Sequence, residues 1–351
     1  MKVSCLWRFA VCAFLLSLST VAVAAPPEVN YHQIKKIPFG TAPGGKEYFD
    51  YIFADGDARR VYITHGAEVL VLNADTFALE GKISGLQKCH GVALAKDVGK
   101  GYITDGDASE VVVFDIASLK PTGTKIKTQE DTDSIIYDPA SKLIFTFNGD
   151  SKNASVIDPK TDKMIKTIDL GGAPEFPVAD GKGMVYDNNE DLNAVVAIDT
   201  KALTIKDKWP VAPSGTPVAM AMDRQHRRLF SAGRGPLTLV IMDAGNGKVL
   251  QSFPITAGVD AEAFEPSTGL LFVSTRAGKV HIFHEDSPDK FSEAGSFDTE
   301  FGAKTMALDP KTHNIFLTTS DFGPPPPPTE KDPHPNPPRL PRNFHVMIYG
   351  K

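Results

Sequence analysis

One short pattern recurs seven times along the chain, and it decides what the chain can become. Each copy holds a polar residue, an apolar strand usually closed by an acidic residue, a turn, and a second apolar strand. The first strands read Asp50-Tyr-Ile-Phe-Ala-Asp55, His90-Gly-Val-Ala-Leu-Ala95, Asp133-Ser-Ile-Ile-Tyr-Asp138, Glu175-Phe-Pro-Val-Ala-Asp180, Val218-Ala-Met-Ala-Met-Asp223, Asp260-Ala-Glu-Ala-Phe-Glu265 and Lys304-Thr-Met-Ala-Leu-Asp309. Their starts are 40, 43, 42, 43, 42 and 44 residues apart. That spacing is the period of propeller blades. The second strands follow in register, from Val61-Tyr-Ile-Thr64 to Ile315-Phe-Leu-Thr318. Third strands such as Val111-Val-Val-Phe-Asp115 and more polar fourth strands such as Lys163-Met-Ile-Lys-Thr-Ile-Asp169 complete the unit. The composition is β-branched and aromatic, bounded by Asp, Gly and Asn, with no convincing amphipathic helix.

Six copies are complete. The seventh has strands at 304–309, 314–319 and 343–349 and no outer strand of its own. Tyr31-His-Gln-Ile-Lys-Lys-Ile-Pro38 reads as that missing strand. Pairing it into the last copy closes the ring and covers an open sheet edge. The expected fold is therefore all-β: a seven-bladed β-propeller of four-stranded blades, closed by the N-terminal strand. Residues 25–351 would form one domain, with a Pro-rich insertion at 323–342 in the last blade. Separate β-domains would need linker-like breaks between copies, and none falls there.

Residues 1–24 read differently. Lys2 and Arg8 precede an apolar run from Phe9 to Val23, and Ala22-Val23-Ala24 is a small-x-small cleavage pattern. This is a secretory signal peptide, too short in its apolar part to span a bilayer. The expected location is the periplasm or outside the cell. Cleavage leaves 35 basic against 43 acidic residues, a net charge of about −8, which argues against nucleic-acid or anionic-membrane partners. Cys5 and Cys12 leave with the signal, so Cys89 remains alone and no internal disulfide can form.

The second-strand exits Val61-Tyr-Ile-Thr-His65 and Gly101-Tyr-Ile-Thr-Asp105 resemble the Tyr-Val-Thr-Asn (YVTN) repeat of YncE-like bacterial propellers, over about residues 31–350. Asn148 keeps the terminal Asn, whereas Gly233, Thr275 and Thr319 depart from it. The resemblance implies the fold. It leaves function open among substrate-binding proteins, lactonase-like and lyase enzymes, and heavy subunits of quinone amine dehydrogenases.

In such a ring, inner-strand starts and second-strand exits share one face around the channel. The starts are Asp50, His90, Asp133, Glu175, Val218, Asp260 and Lys304; the exits are His65, Asp105, Asn148, Asp187, Gly233, Thr275 and Thr319. Asp50, His65, His90, Asp133 and Glu175 are candidate ligands for a divalent metal ion. Arg234, Arg276 and Lys304, with Asn148, Asp187 and Asp260, are candidates for binding an anionic small molecule. Side chains there can also be polar only because water fills the channel. No Cys-x-x-Cys-His motif is present, so covalent haem is not expected. Cys89 is adjacent to His90, and neighbouring strand residues face opposite ways, which puts the thiol in the core if His90 faces the channel. The proline loop Gly323-Pro-Pro-Pro-Pro-Pro328 reaches the same face and could bring His334, Arg339 and Arg342 to a ligand or a protein partner. The reading is an exported monomeric binding or scaffold protein, with a metal-assisted lactonase- or lyase-like enzyme as the alternative.

Overall fold

The computed structural model describes Met1 and residues 29–45, 47–329 and 335–351. The signal-peptide reading, Met1 aside, and His334 lie outside the described residues. The rest is seven four-stranded antiparallel sheets and three single-turn 3₁₀ segments. Among the described residues no helix is long and apolar enough to cross a membrane.

Local turn chemistry explains the recurring acidic residue. In blade one the inner strand ends at Asp55, whose carboxylate accepts hydrogen bonds from the Asp57 and Ala58 backbone N–H groups. Asp138, Asp223 and Asp309 do the same for their own turns. Each such side chain holds a tight reversal into the second strand. Four residues on, the chain enters the left-handed region at Arg59, Gly99, Lys142, Arg227, Gly269 and His313. The third-to-fourth turns repeat the device, with left-handed Phe77, Leu119, Asp162, Leu203 and Gly247.

Inner strands run in order through Ile52–Asp55, Cys89–Ala95, Thr132–Asp138, Pro174–Ala179, Pro217–Asp223, Val259–Glu265 and Met306–Leu308. They define blades one to seven. Blade seven consists of Met306–Leu308, Ile315–Thr319, Phe344–Gly350 and the N-terminal strand His32–Gly40, which pairs antiparallel with Phe344–Gly350. The expected seven blades and their closure are thus what the chain adopts.

Seven apolar clusters fill the seven junctions between blades. Strand alternation divides the residues between them: Val111 and Val113 face blade three, while Val112 and Phe114 face blade one. Burial of each such side chain contributes about 1.5–3 kcal/mol. Polar bonds also cross the junctions. Thr104 Oγ1 donates to Asp133 O at 2.5 Å, and Asn188 Nδ2 donates to Ala219 O at 2.7 Å.

One irregularity positions the site. The inner strands of blades two to six each slip register at their first residues, between Cys89 and Val92, Thr132 and Ile135, Pro174 and Pro177, Pro217 and Ala219, and Val259 and Ala261. Such bulges turn side chains away from the pleat. The re-aimed positions are His90, Asp133, Glu175, Val218 and Asp260.

Candidate functional site

His90 sits at the centre of a buried polar knot. Its Nδ1 lies 2.9 Å from Asp50 Oδ2 and 2.8 Å from Asp133 Oδ1. Tyr48 donates to Asp50 Oδ2 at 2.6 Å, and its hydroxyl stands 2.9 Å from the same Nδ1. Gly106 makes room for the ring, since a Cβ there would stand 2.6 Å from His90 Nε2. Burial alone would lower the proton affinity of His90. The carboxylates of Asp133 and Asp50 more than reverse this and raise its pKa to about 10. At neutral pH the ring is therefore an imidazolium. Burial opposes ionisation of Asp50, yet the His90 bond and then the Lys304 charge keep its carboxyl well below the usual range. Asp133 is raised, by burial first.

Beneath the knot the channel has an aromatic floor. Tyr51 of blade one meets Phe176 of blade four edge-on, with ring centroids 5.3 Å apart. Burial raises the Tyr51 pKa well above the usual phenol value, followed by the fields of Asp133, Glu175, Asp50 and Asp260. Carboxylates from blades three, four, one and six converge in this way only on a group near the axis. Glu175 is itself held well above the carboxylate range, chiefly by burial and then by Asp133.

The basic side is partly balanced. Asp260 is bridged by Arg234 and Lys304, and Arg234 also lies 3.4 Å from Glu190. Arg276 differs. Its guanidinium lies 5.8 Å from the Phe301 ring and 5.5 Å from the Phe322 ring. Its Nε is buried without a hydrogen-bond partner, and no carboxylate pairs with it among the described residues. Burial and then the Arg339 charge weaken its hold on its proton, with Arg234 adding to this against an opposing pull from Asp260. Arg339 comes from the stem of the proline insertion. Phe322 and Arg339 form a bridge there, and the stem is fastened by Thr41 Oγ1 donating to Pro341 O at 2.8 Å. The Arg339 guanidinium covers the Phe49 ring at 4.2 Å and the Tyr48 ring at 5.3 Å. Arg342 is exposed beside Asp321 at 3.3 Å.

Of the residues singled out in sequence, Asp50, His90 and Asp133 are brought together: their ligand atoms lie within 4.8 Å of one another. His65 stands apart, its Nε2 2.9 Å from Glu47 and its ring stacked on Phe344 at 3.8 Å. Asn148 is turned into its own blade, donating to Asn153 Oδ1 at 2.8 Å and Ser155 Oγ at 3.1 Å. Asp187 does not lie at a strand exit. The second strand of blade four continues to Asn189, which occupies the exit opposite Pro174. Polar residues there resemble a strand end, but Asp187 and Asn188 are fully buried strand positions. Neither Asp187 carboxylate oxygen makes a well-aligned hydrogen bond among the described residues, and burial, opposed only by the Glu175 backbone, holds the group well above its usual pKa. Sequence reasoning missed Tyr48, Tyr51, Phe176 and Glu190. Tyr48 precedes the first strand and has no counterpart in the repeat.

Cys89 packs with Val69, Val71 and Ile83, donating to Gly66 O at 3.2 Å and Glu68 O at 3.1 Å. Burial pushes its thiol up to about 12.

Three similarities place the chain among known proteins. Residues 58–211 match a family described as a domain of unknown function (DUF5074). Antigen Lp49 of Leptospira interrogans serogroup Icterohaemorrhagiae serovar copenhageni (strain Fiocruz L1-130) is 24% identical over 244 residues, 63% of this chain and 52% of that protein. The chain thus spans about half the length of this relative. A chain of Kuenenia stuttgartiensis hydrazine synthase superposes with a TM-score of 0.67 at 15% identity, over 76% of this chain and 91% of that one, a likeness of fold alone. The protein is a seven-bladed β-propeller that is similar over residues 58–211 to the DUF5074 family.

Proposed function

We propose that the chain is an exported binding protein, a YncE-like propeller, that seats a small organic anion at the mouth of its channel. The N-terminal residues support export through their charge, apolar run and cleavage pattern. One observation carries the ligand reading: Arg276 and Arg339 face one mouth with no paired carboxylate among the described residues, while Asp260 is already engaged by Arg234 and Lys304 and burial holds Glu175 well above the usual carboxylate range. Unbalanced guanidinium groups beside aromatic rings suit a carboxylate or phosphate attached to an apolar body. The floor of Tyr51 and Phe176 would support that body.

The test is calorimetric titration with inorganic phosphate, citrate and aromatic carboxylates. Losing one charge-assisted hydrogen bond costs about 1.5–3 kcal/mol, so Arg276→Gln should weaken binding by roughly 10–100-fold. Arg339→Gln should act in the same direction. Failure of every probe to bind at low millimolar concentration, or unchanged affinity in both variants, would overturn the reading.

A metal-assisted, lactonase- or lyase-like activity is the second reading, favoured by the convergence of Asp50, His90 and Asp133. An ion there must displace the proton that His90 holds up to about 10, so its binding would strengthen as pH rises.

A further inference from the structure

The opposite face of the ring carries a second constellation, independent of the mouth. His226 lies in the turn from the inner to the second strand of blade five, and Glu285 lies near the far end of the third strand of blade six. His226 Nδ1 stands 2.7 Å from Asp223 Oδ2 and 2.9 Å from Glu285 Oε1. Nδ1 and Oε1 are both buried, and neither makes a well-aligned hydrogen bond among the described residues, though they approach as an ion pair. The Glu285 side chain is only 7% exposed and the Asp223 side chain 2%. The three donor atoms lie within 4.8 Å of one another. Beside them opens a cavity of about 260 Å³ whose lining includes Pro266, Thr268 and His284.

The other junctions show what is missing here. At three of them a lysine or arginine from the next blade meets the residue closing the inner strand or its backbone, and at a fourth a histidine does. Lys96 reaches Asp55 at 2.6 Å, Arg59 reaches Asp309 at 2.6 Å, and His313 reaches Glu265 at 2.6 Å. Arg224 lies in the field of Asp180 and donates to Ala179 O at 2.8 Å. These side chains occupy two turn positions: the first residue after the closing position (Lys96, Arg224) and the fourth (Arg59, His313). Blade six has Pro266 and Gly269 at those positions. In place of a cation it sends in a second carboxylate, Glu285, against Asp223. Arg228 is near Glu285 but is paired with Asp289.

We propose that Asp223, His226 and Glu285 hold one divalent transition-metal ion of the zinc class, which ties blade five to blade six as the side-chain cations do elsewhere. One imidazole and two carboxylates suit such an ion. Donors about 2.0–2.2 Å from a shared tetrahedral ion stand roughly 3.3–3.6 Å from each other, so the two approaches to His226 Nδ1 at 2.7 and 2.9 Å must open by several tenths of an ångström to admit it. The cavity leaves an open coordination position for water, with His284 on its wall.

The experiment uses the mature chain, stripped with chelator and titrated with Zn²⁺ by calorimetry and thermal unfolding. Expected are one tight site and an unfolding midpoint that rises with zinc. Glu285→Gln, nearly isosteric, should weaken binding by at least about tenfold, whereas Asp50→Asn at the mouth should leave it unchanged. Gly269→Arg provides a second route. Its backbone is already left-handed, as at Arg59 and His313, and a Cβ there meets nothing closer than 3.5 Å. The guanidinium should replace the ion, so this variant should lose the zinc-dependent rise in midpoint while folding without metal. Absence of zinc binding, loss through Asp50→Asn instead, or a wild-type zinc response in Glu285→Gln or Gly269→Arg would each overturn the proposal.

Discussion

Replacing His90 by Gln removes the imidazolium between Asp50 and Asp133. In the folded chain the ring holds its proton up to about 10, against 6.5 for a free imidazole. At about 1.4 kcal/mol per tenfold change in proton affinity, that hold stabilises the fold by about 5 kcal/mol. The direction follows from linkage. A group whose affinity is raised by folding contributes fully below pH 6.5, and the contribution fades as pH climbs towards 10. At pH 6 this is the loss of the same pairing seen from the other side, since the variant leaves Asp50 and Asp133 without their cation. Burial likewise holds Glu175 and Asp187 above the carboxylate range, so they destabilise the fold with rising pH in both proteins. The readout is therefore the difference between the two proteins. Urea unfolding followed by circular dichroism at pH 6, 8 and 10 should show a gap of several kcal/mol that closes with pH. Parallel profiles, with a constant gap, would refute the assignment of His90 as a charge-paired imidazolium.

The Cys89 thiol, buried and pushed up to about 12, should resist a thiol reagent in the native protein and react only at the rate of unfolding; rapid modification at pH 8 would contradict its place in the core. A chain that begins at Thr41 lacks the strand His32–Gly40 and the buried Tyr31 ring. Thermal unfolding should show a loss of at least about 1.5–3 kcal/mol from Tyr31 alone, and sizing chromatography should show association through the bared edge of Phe344–Gly350.

Much of the architecture was legible because blades repeat. Each copy must turn twice, and an aspartate at Asp55, Asp138, Asp223 or Asp309 leaves that turn visible in sequence. The mouth was legible in part, since Asp50, His90 and Asp133 occupy one repeat position and the ring brings equivalent positions together. Asp187 shows where this stops. A buried polar side chain within a strand reads the same as one at its exit. Pairing to the neighbouring strands, which places Asn189 opposite Pro174, is what separates the two cases.

By itself, then, the sequence determined the number of blades, their order, the closure by the first strand and the face on which each loop emerges. These follow from local periodicity and turn chemistry, which act over a few residues. Only the tertiary structure decided which groups meet across the ring. Tyr51 and Phe176 touch because blades one and four stand on opposite sides of a narrow axis. Arg339 reaches the Phe49 ring because the proline insertion folds back on blade one. Asp223 and Glu285 share His226 because blade six places Pro266 and Gly269, not a lysine or arginine, at the turn positions facing that junction. Such encounters join residues tens to hundreds of positions apart, and their distances are set by the packing of whole blades, which no local pattern encodes.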